Sequence, residues 1–289
     1  MRKILAIILM SMLLPAPAAV VSAQSVAEAG RAMFNSGQYQ SAYASLQPLA
    51  QQGDPEAVFL ALVIRRNGLD GRKAADSGEL ARLWSALAAQ RGAMENGLNN
   101  KALPEATKDA YRTALAQLEY FGPASPAWPP GPPDAERAKR GGAAERLLGS
   151  AARRFGPARN FAAFLYLEPR ADRPGRAFRA TLEAAEKGDF LAMGNLAWMY
   201  REGVGADKDN IRAAHWARQG CNSVPAVPRN ENEVGYLYES GRGVSQDQTE
   251  ALVWYEKAAA KGHPAALVNV QRLKGKSPSA PALDNRLWF

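Results

Sequence analysis

The sequence predicts an all-α protein built as an α–α superhelix, a solenoid of stacked helical hairpins. Two observations predict it. The C-terminal part repeats itself: aligning Tyr200 with Tyr238 brings Gly203 onto Gly241, Gly205 onto Gly243, Asp209 onto Asp247, Ala213 onto Ala251 and Trp216 onto Trp254. Six matches at one offset, a tryptophan among them, mark a repeated unit. Earlier segments carry the same internal spacing. Ala81, Trp84, Ala88, Ala89 and Gly92 are spaced as Ala251, Trp254, Ala258, Ala259 and Gly262, and Gly53-Asp54 with Gly68 as Gly188-Asp189 with Gly203.

Each unit reads as two helices. In the first, Ala192, Leu196 and Trp198-Met199-Tyr200 recur at helical spacing and stop at Gly203, a left-handed C-cap. The loop from Gly203 to Asp207 places two glycines where a positive φ is expected. The second helix, Thr249 to Lys261, carries Ala251, Trp254 and Ala258 on one face. Its alanines let helices approach closely, and Trp254 is expected to fill the gap between neighbours. One hairpin cannot bury its apolar face alone, so the units must stack.

These residues resemble a Sel1-like repeat, a relative of the tetratricopeptide repeats. One unit is carried by Gly188-Asp189, Ala192, Leu196-Ala197, Tyr200, Gly203, Gly205, Asp209, Ala213-Ala214 and Trp216. The next is carried by Val234-Gly235, Tyr238, Gly241, Gly243-Val244, Asp247, Ala251, Trp254-Tyr255, Lys257-Ala258-Ala259 and Gly262. Gly37, Tyr39, Ala42, Leu46, Leu49-Ala50 and Gly53 resemble a second helix of either repeat type. The resemblance covers 25–92 and 176–275. It implies a superhelix and a protein-interaction role; similar proteins of bacterial envelopes serve as adaptors, regulators and assembly factors. The chain departs from the pattern after Trp216, where Gly220-Cys221, Val224, Pro225 and Pro228 predict an early helix end and an irregular hinge. The segment His263 to Lys274 reads as a terminal cap with a polar outer face.

The expected organisation is a signal peptide at 1–23, a helical repeat module at 24–121, a Pro-rich linker at 122–133, a second repeat module at 134–275 and a flexible tail at 276–289. Arg2 and Lys3, the apolar run Ile4 to Leu14 and the small residues before Gln24 predict export to the periplasm or beyond, with cleavage near Ala23. The alternative is an uncleaved anchor, although a span needs roughly 20 apolar residues. Without Arg2 and Lys3 the net charge falls from 36 − 28 = +8 to 34 − 28 = +6. That modest excess comes with no nucleic-acid-binding signature, and no stable membrane span is expected in the mature chain. Cys221 is the only cysteine, so stability must come from burial.

The middle, 93–175, carries no clean repeat. Pro104 to Tyr120 predicts one helix. The run from Gly122 to Pro133 breaks regular structure and reads as a spacer, or as a binding segment centred on Trp128. Residues 134–155 return to a helical pattern with Arg137, Lys139, Arg140, Arg146, Arg153 and Arg154, partly offset by Glu136 and Glu145; a solvated face is expected there ahead of an anion site. The chain closes on Leu287-Trp288-Phe289, which either folds back on the last hairpin or is recognised by another protein.

Catalytic chemistry is hard to build from this sequence. His215 and His263 are the only histidines and share no metal-binding spacing, and no cofactor is expected. No serine-nucleophile elbow occurs. Gly275-Lys276-Ser277 resembles the end of a P-loop, but Val270 stands where its first glycine belongs. The expected function is therefore a non-catalytic periplasmic scaffold or adaptor for a protein partner. The residues expected to meet that partner lie on the first helices, Asn195, Trp198 and Met199 in one unit and Glu233, Tyr236 and Leu237 in the next; ordinary packing is the alternative. Two other readings stay open: an immunity or inhibitor protein against an envelope-acting toxin, and a cell-wall or polysaccharide enzyme with its site in the middle region.

Overall fold

A computed structural model describes residues 22–73, 75–122, 134–168 and 173–275. The expected signal peptide up to residue 21, the Pro-rich stretch beyond Gly122, and the tail with Leu287, Trp288 and Phe289 lie outside the described residues. Among the described residues the protein is all-α, with 15 helices and no strand. They are α1 (Ala23–Asn35), α2 (Tyr39–Gln51), α3 (Pro55–Arg66), α4 (Ser77–Ala89), α5 (Arg91–Asn99), α6 (Glu105–Phe121), α7 (Asp134–Leu148) and α8 (Ala151–Arg154). The rest are α9 (Gly156–Leu167), α10 (Pro174–Glu186), α11 (Phe190–Glu202), α12 (Asn210–Gly220), α13 (Pro228–Ser240), α14 (Gln248–Ala260) and α15 (Pro264–Leu273).

The residues that repeat in the sequence are the punctuation of this chain. Asp54, Asp189, Asp209 and Asp247 all serve as N-caps: each side chain accepts a backbone N–H from the first turn of the helix it precedes. Gly203 and Gly241 end α11 and α13 in the left-handed conformation. The second glycine of each loop has a different reason. A Cβ on Gly205 would lie 2.2 Å from the carbonyl oxygen of Pro174, and one on Gly243 would lie 2.1 Å from that of Asn210. Each loop therefore rests directly on the start of the preceding second helix, and only glycine fits.

Consecutive helices pair as antiparallel hairpins, α1 with α2, α9 with α10, α11 with α12 and α13 with α14. Ala42, Ala192, Ala197, Ala213, Ala251 and Ala258 are fully buried where helices meet, so small side chains set the close spacing. Tyr255, rather than Trp254, fills the deepest gap in the last hairpin. Its ring lies against Gly235, where a Cβ would approach to 2.7 Å, while Trp254 is half-buried under the Lys257 ammonium. As the hinge residues predicted, α12 is shorter than α14 and ends at Gly220. Helix α15 is not the polar cap expected, since Leu267 and Val268 are exposed on it.

An inner row of helices runs through the whole stack. Helix α1 touches α3, α3 touches α6, α6 touches α9, α9 touches α11 and α11 touches α13. One apolar cluster extends from Ala27 through Tyr120 to Phe161, and α6 packs on α7 and α9. The stack therefore continues from 24–121 into 134–168, on either side of the Pro-rich stretch. The start of the array also meets the hinge before α13. The amide of Val224, in the hinge after α12, donates to the carbonyl of Gly37 at 2.9 Å, and the amide of Tyr39 donates back to Val224 at 3.1 Å. The hinge that breaks the repeat pattern is the piece that docks on the α1–α2 turn.

Candidate protein-interaction surface

The first helices are the partner-binding face that the sequence predicts. Asn195, Trp198 and Met199 sit on α11, and Glu233, Tyr236 and Leu237 on α13, but the structure buries all six. Asn195 and Met199 are 0% exposed, Leu237 1%, Glu233 3%, Tyr236 8% and Trp198 9%. Their neighbours explain the burial. The Asn195 side-chain oxygen accepts from the guanidinium of Arg229 on α13. Glu233 accepts from Arg201 Nε at 2.6 Å, and the same guanidinium stands 5.1 Å from the centre of the Tyr236 ring. Trp198 and Met199 pack with Ala163 and Ala177, and Leu237 packs with Ala217 and Tyr255. The six residues hold neighbouring units in register and offer no free docking face. Helical periodicity identifies the stripe a helix turns inward; how tightly the next unit closes over that stripe depends on the stack.

Asparagines on the inner row extend this pattern. Asn269 Nδ2 on α15 donates to Asn232 Oδ1 on α13 at 3.1 Å, Asn230 Nδ2 donates to the Phe190 carbonyl at 3.0 Å, and Asn160 Nδ2 on α9 donates to Asp189 at 3.1 Å. The row is legible in retrospect, because Asn195, Asn232 and Asn269 recur at intervals of 37 residues, close to the offset of the repeat. Paired polar groups in a buried seam cost little and impose one register, since slippage would leave them unsatisfied. Burial raises the Glu233 carboxyl above the ordinary range, against the opposing pull of Arg201 and Arg229. Glu239 accepts from the Tyr255 hydroxyl at 2.9 Å and from Arg272 at 2.5 Å, tying α13 to α14 and α15.

The groups considered for chemistry have structural places. His215 is exposed with its ring against Trp216, and the His263 Nδ1 accepts the Ala266 amide at the start of α15, the capping role Asp189 plays for α11. Cys221 is half-buried behind α12; burial and the nearby Glu231 push its thiol up to about 12. Among the described residues no group of three metal-ligating side chains comes together, and no helix is long and apolar enough to cross a membrane.

Geometry and sequence together define a helical-hairpin repeat protein. Residues 191–223 and 231–263, which hold the α11–α12 and α13–α14 hairpins, match the family model of the Sel1 repeat. A 95-residue stretch is 34% identical to the chitin synthase regulator SKT5 of Saccharomyces cerevisiae, covering 32% of this chain; the chain spans 13% of that relative's length. The crystal structure of a Sel1 repeat protein from Oxalobacter formigenes is similar at 32% identity, covering 44% of this chain and 96% of that one with a TM-score of 0.37. A protective antigen of uropathogenic Escherichia coli strains, displaying an SLR fold, is similar at 18% identity over 88% of this chain and 57% of that one, with a TM-score of 0.47. The chain belongs to the Sel1-like repeat family. Sel1 repeat proteins act as protein-interaction scaffolds.

Proposed function

We propose that this chain is a non-catalytic scaffold that holds another protein in the bacterial envelope, reached through the signal peptide read at 1–23. The observation that carries the reading is the match of two adjoining hairpins to the Sel1 repeat, within a stack whose inner row is already filled by its own side chains. The partner contact then falls on the outer, second-helix side. There Ile211 on α12 is 74% exposed and Val253 on α14 is 40% exposed, while most large apolar side chains are inside. A partner that covers both would remove from water apolar surface that the stack itself leaves exposed.

In-cell cross-linking followed by identification of what is captured tests this reading. The expected result is one discrete protein held by the wild-type chain and lost from the Ile211→Glu, Val253→Glu double variant, with the helical spectrum unchanged. Capture that the double variant retains would move the contact elsewhere. Cleavage of peptidoglycan by the purified chain would overturn the non-catalytic reading, and fractionation to the cytoplasm would overturn the envelope assignment.

A further inference from the structure

An arginine-lined cavity of about 520 Å³ opens between α7, α8, α9 and α10. Its polar lining is Arg153, Arg159, Arg176 and Arg179 against Glu145 and Glu183. Both carboxylates already have cations: Glu145 is held by Arg173 at 2.8 Å and also stands 3.8 Å from Arg176, and Glu183 is held by Lys187 at 2.6 Å. Arg159 is the deepest of the four at 3% exposure. Its Nη2 donates to the Arg153 carbonyl and stands 4.0 Å from Glu183, while its Nε has no hydrogen-bond partner. At the exposed mouth, Arg153 and Arg179 pair with no carboxylate among the described residues. Leu148, Ala162 and Ala180 supply apolar wall, and the Arg176 guanidinium lies 4.7 Å from the centre of the Tyr166 ring.

Two carboxylates, each shared with a further cation, only partly offset four guanidiniums around one cavity, and a buried N–H without an acceptor is costly. Guanidinium forks match the oxygens of a phosphoryl group two at a time. The cavity is also too large for a bare ion and falls in the size range of small organic ligands. We propose that this cavity is a binding site for a compact organic phosphate monoester, its phosphoryl group held by Arg153, Arg159 and Arg179 and its organic part resting on Leu148, Ala162 and Tyr166. The sequence pattern alone favoured a solvated face around Arg153; the fold brings Arg159, Arg176 and Arg179 from α9 and α10 to the same spot. This site is separate from the partner surface on α12 and α14.

Calorimetry and thermal unfolding of the purified chain test the proposal, with glucose 6-phosphate as the probe and glucose, sulfate and citrate as controls at matched ionic strength. The expected result is saturable binding of glucose 6-phosphate with a concentration-dependent rise in Tm. Affinity should drop about tenfold or more in the Arg153→Gln, Arg179→Gln double variant, whose substitutions are exposed and spare the fold. Absence of saturable binding, or binding undiminished in the double variant, would overturn it. An equal response to sulfate would show an adventitious ion only, and preference for citrate would replace the phosphoryl assignment with a carboxylate one.

Discussion

Glu233 on α13 and Arg201 on α11 form an ion pair sealed inside the stack, 2.6 Å apart with both side chains almost fully buried. Removing Glu233 takes one carboxylate from the buried Arg201 guanidinium, which keeps its contact with the partly exposed Glu202. We expect Glu233→Ala to cost about 3–5 kcal/mol in urea unfolding, and Glu233→Lys to cost more, because it places a second cation beside Arg201. Helical content that survives Glu233→Lys with an unchanged urea midpoint would contradict the buried pairing.

Gly243 and Gly188 share a positive φ, 72° and 87°, yet differ in surroundings: a Cβ on Gly243 strikes the α12 backbone, and one on Gly188 meets nothing within 4 Å. Gly188→Ala should cost about 1–2 kcal/mol from backbone strain alone. Gly243→Ala adds a clash that neither element can relieve without separating, and should cost about 2 kcal/mol beyond that. Equal losses in denaturant titrations would mean that the loop does not rest on α12 as described.

Asp189 caps α11, and burial raises its carboxyl above the ordinary 3.8 despite the amides of Ala192 and Leu191, Asn160 and the nearby Arg159. The folded chain therefore keeps this proton over a pH range in which the unfolded chain has lost it. There the folded state binds more protons, and the contribution of Asp189 to stability falls as pH rises. Asp189→Asn keeps an oxygen for the cap and cannot titrate. Measured from pH 4 to pH 7, the variant should gain stability relative to the wild type; a constant difference would disprove the shift.

Cys221 has a thiol raised to about 12 from an ordinary 9.0, so little thiolate exists near neutrality. Alkylation by iodoacetamide at pH 8 should run at least about a hundredfold slower in the folded chain than in urea. Comparable rates in the two states would place the sulfur in open solvent.

What the sequence made legible was punctuation. The aspartates and glycines that recur from unit to unit have jobs decided within a few residues of themselves, capping a turn or passing under a loop, so position in the sequence is enough to read them. The burial of Asn195 and Glu233 is of another kind. It is settled by Arg229 and Arg201, which arrive from neighbouring helices, and by the curvature that closes one unit on the next. Helices α6 and α9 belong to the inner row without a glycine loop to announce them, because their neighbours, not a motif, hold them there. The arginine cavity was hidden for the same reason. Arg153 and Arg179 look like ordinary solvated residues until α8 and α10 are brought side by side around Arg159.

The contact between Val224 and the α1–α2 turn makes this an array that counts its own units. An open solenoid tolerates one hairpin more or fewer, and it can fray from either end because each unit answers only to its neighbours. Here the α1–α2 turn and the hinge after α12 must arrive at the same place, so an added or deleted hairpin between them would leave Gly37 and Val224 pointing at nothing. The number of units between these two points is set by closure, while α13 to α15 extend past it.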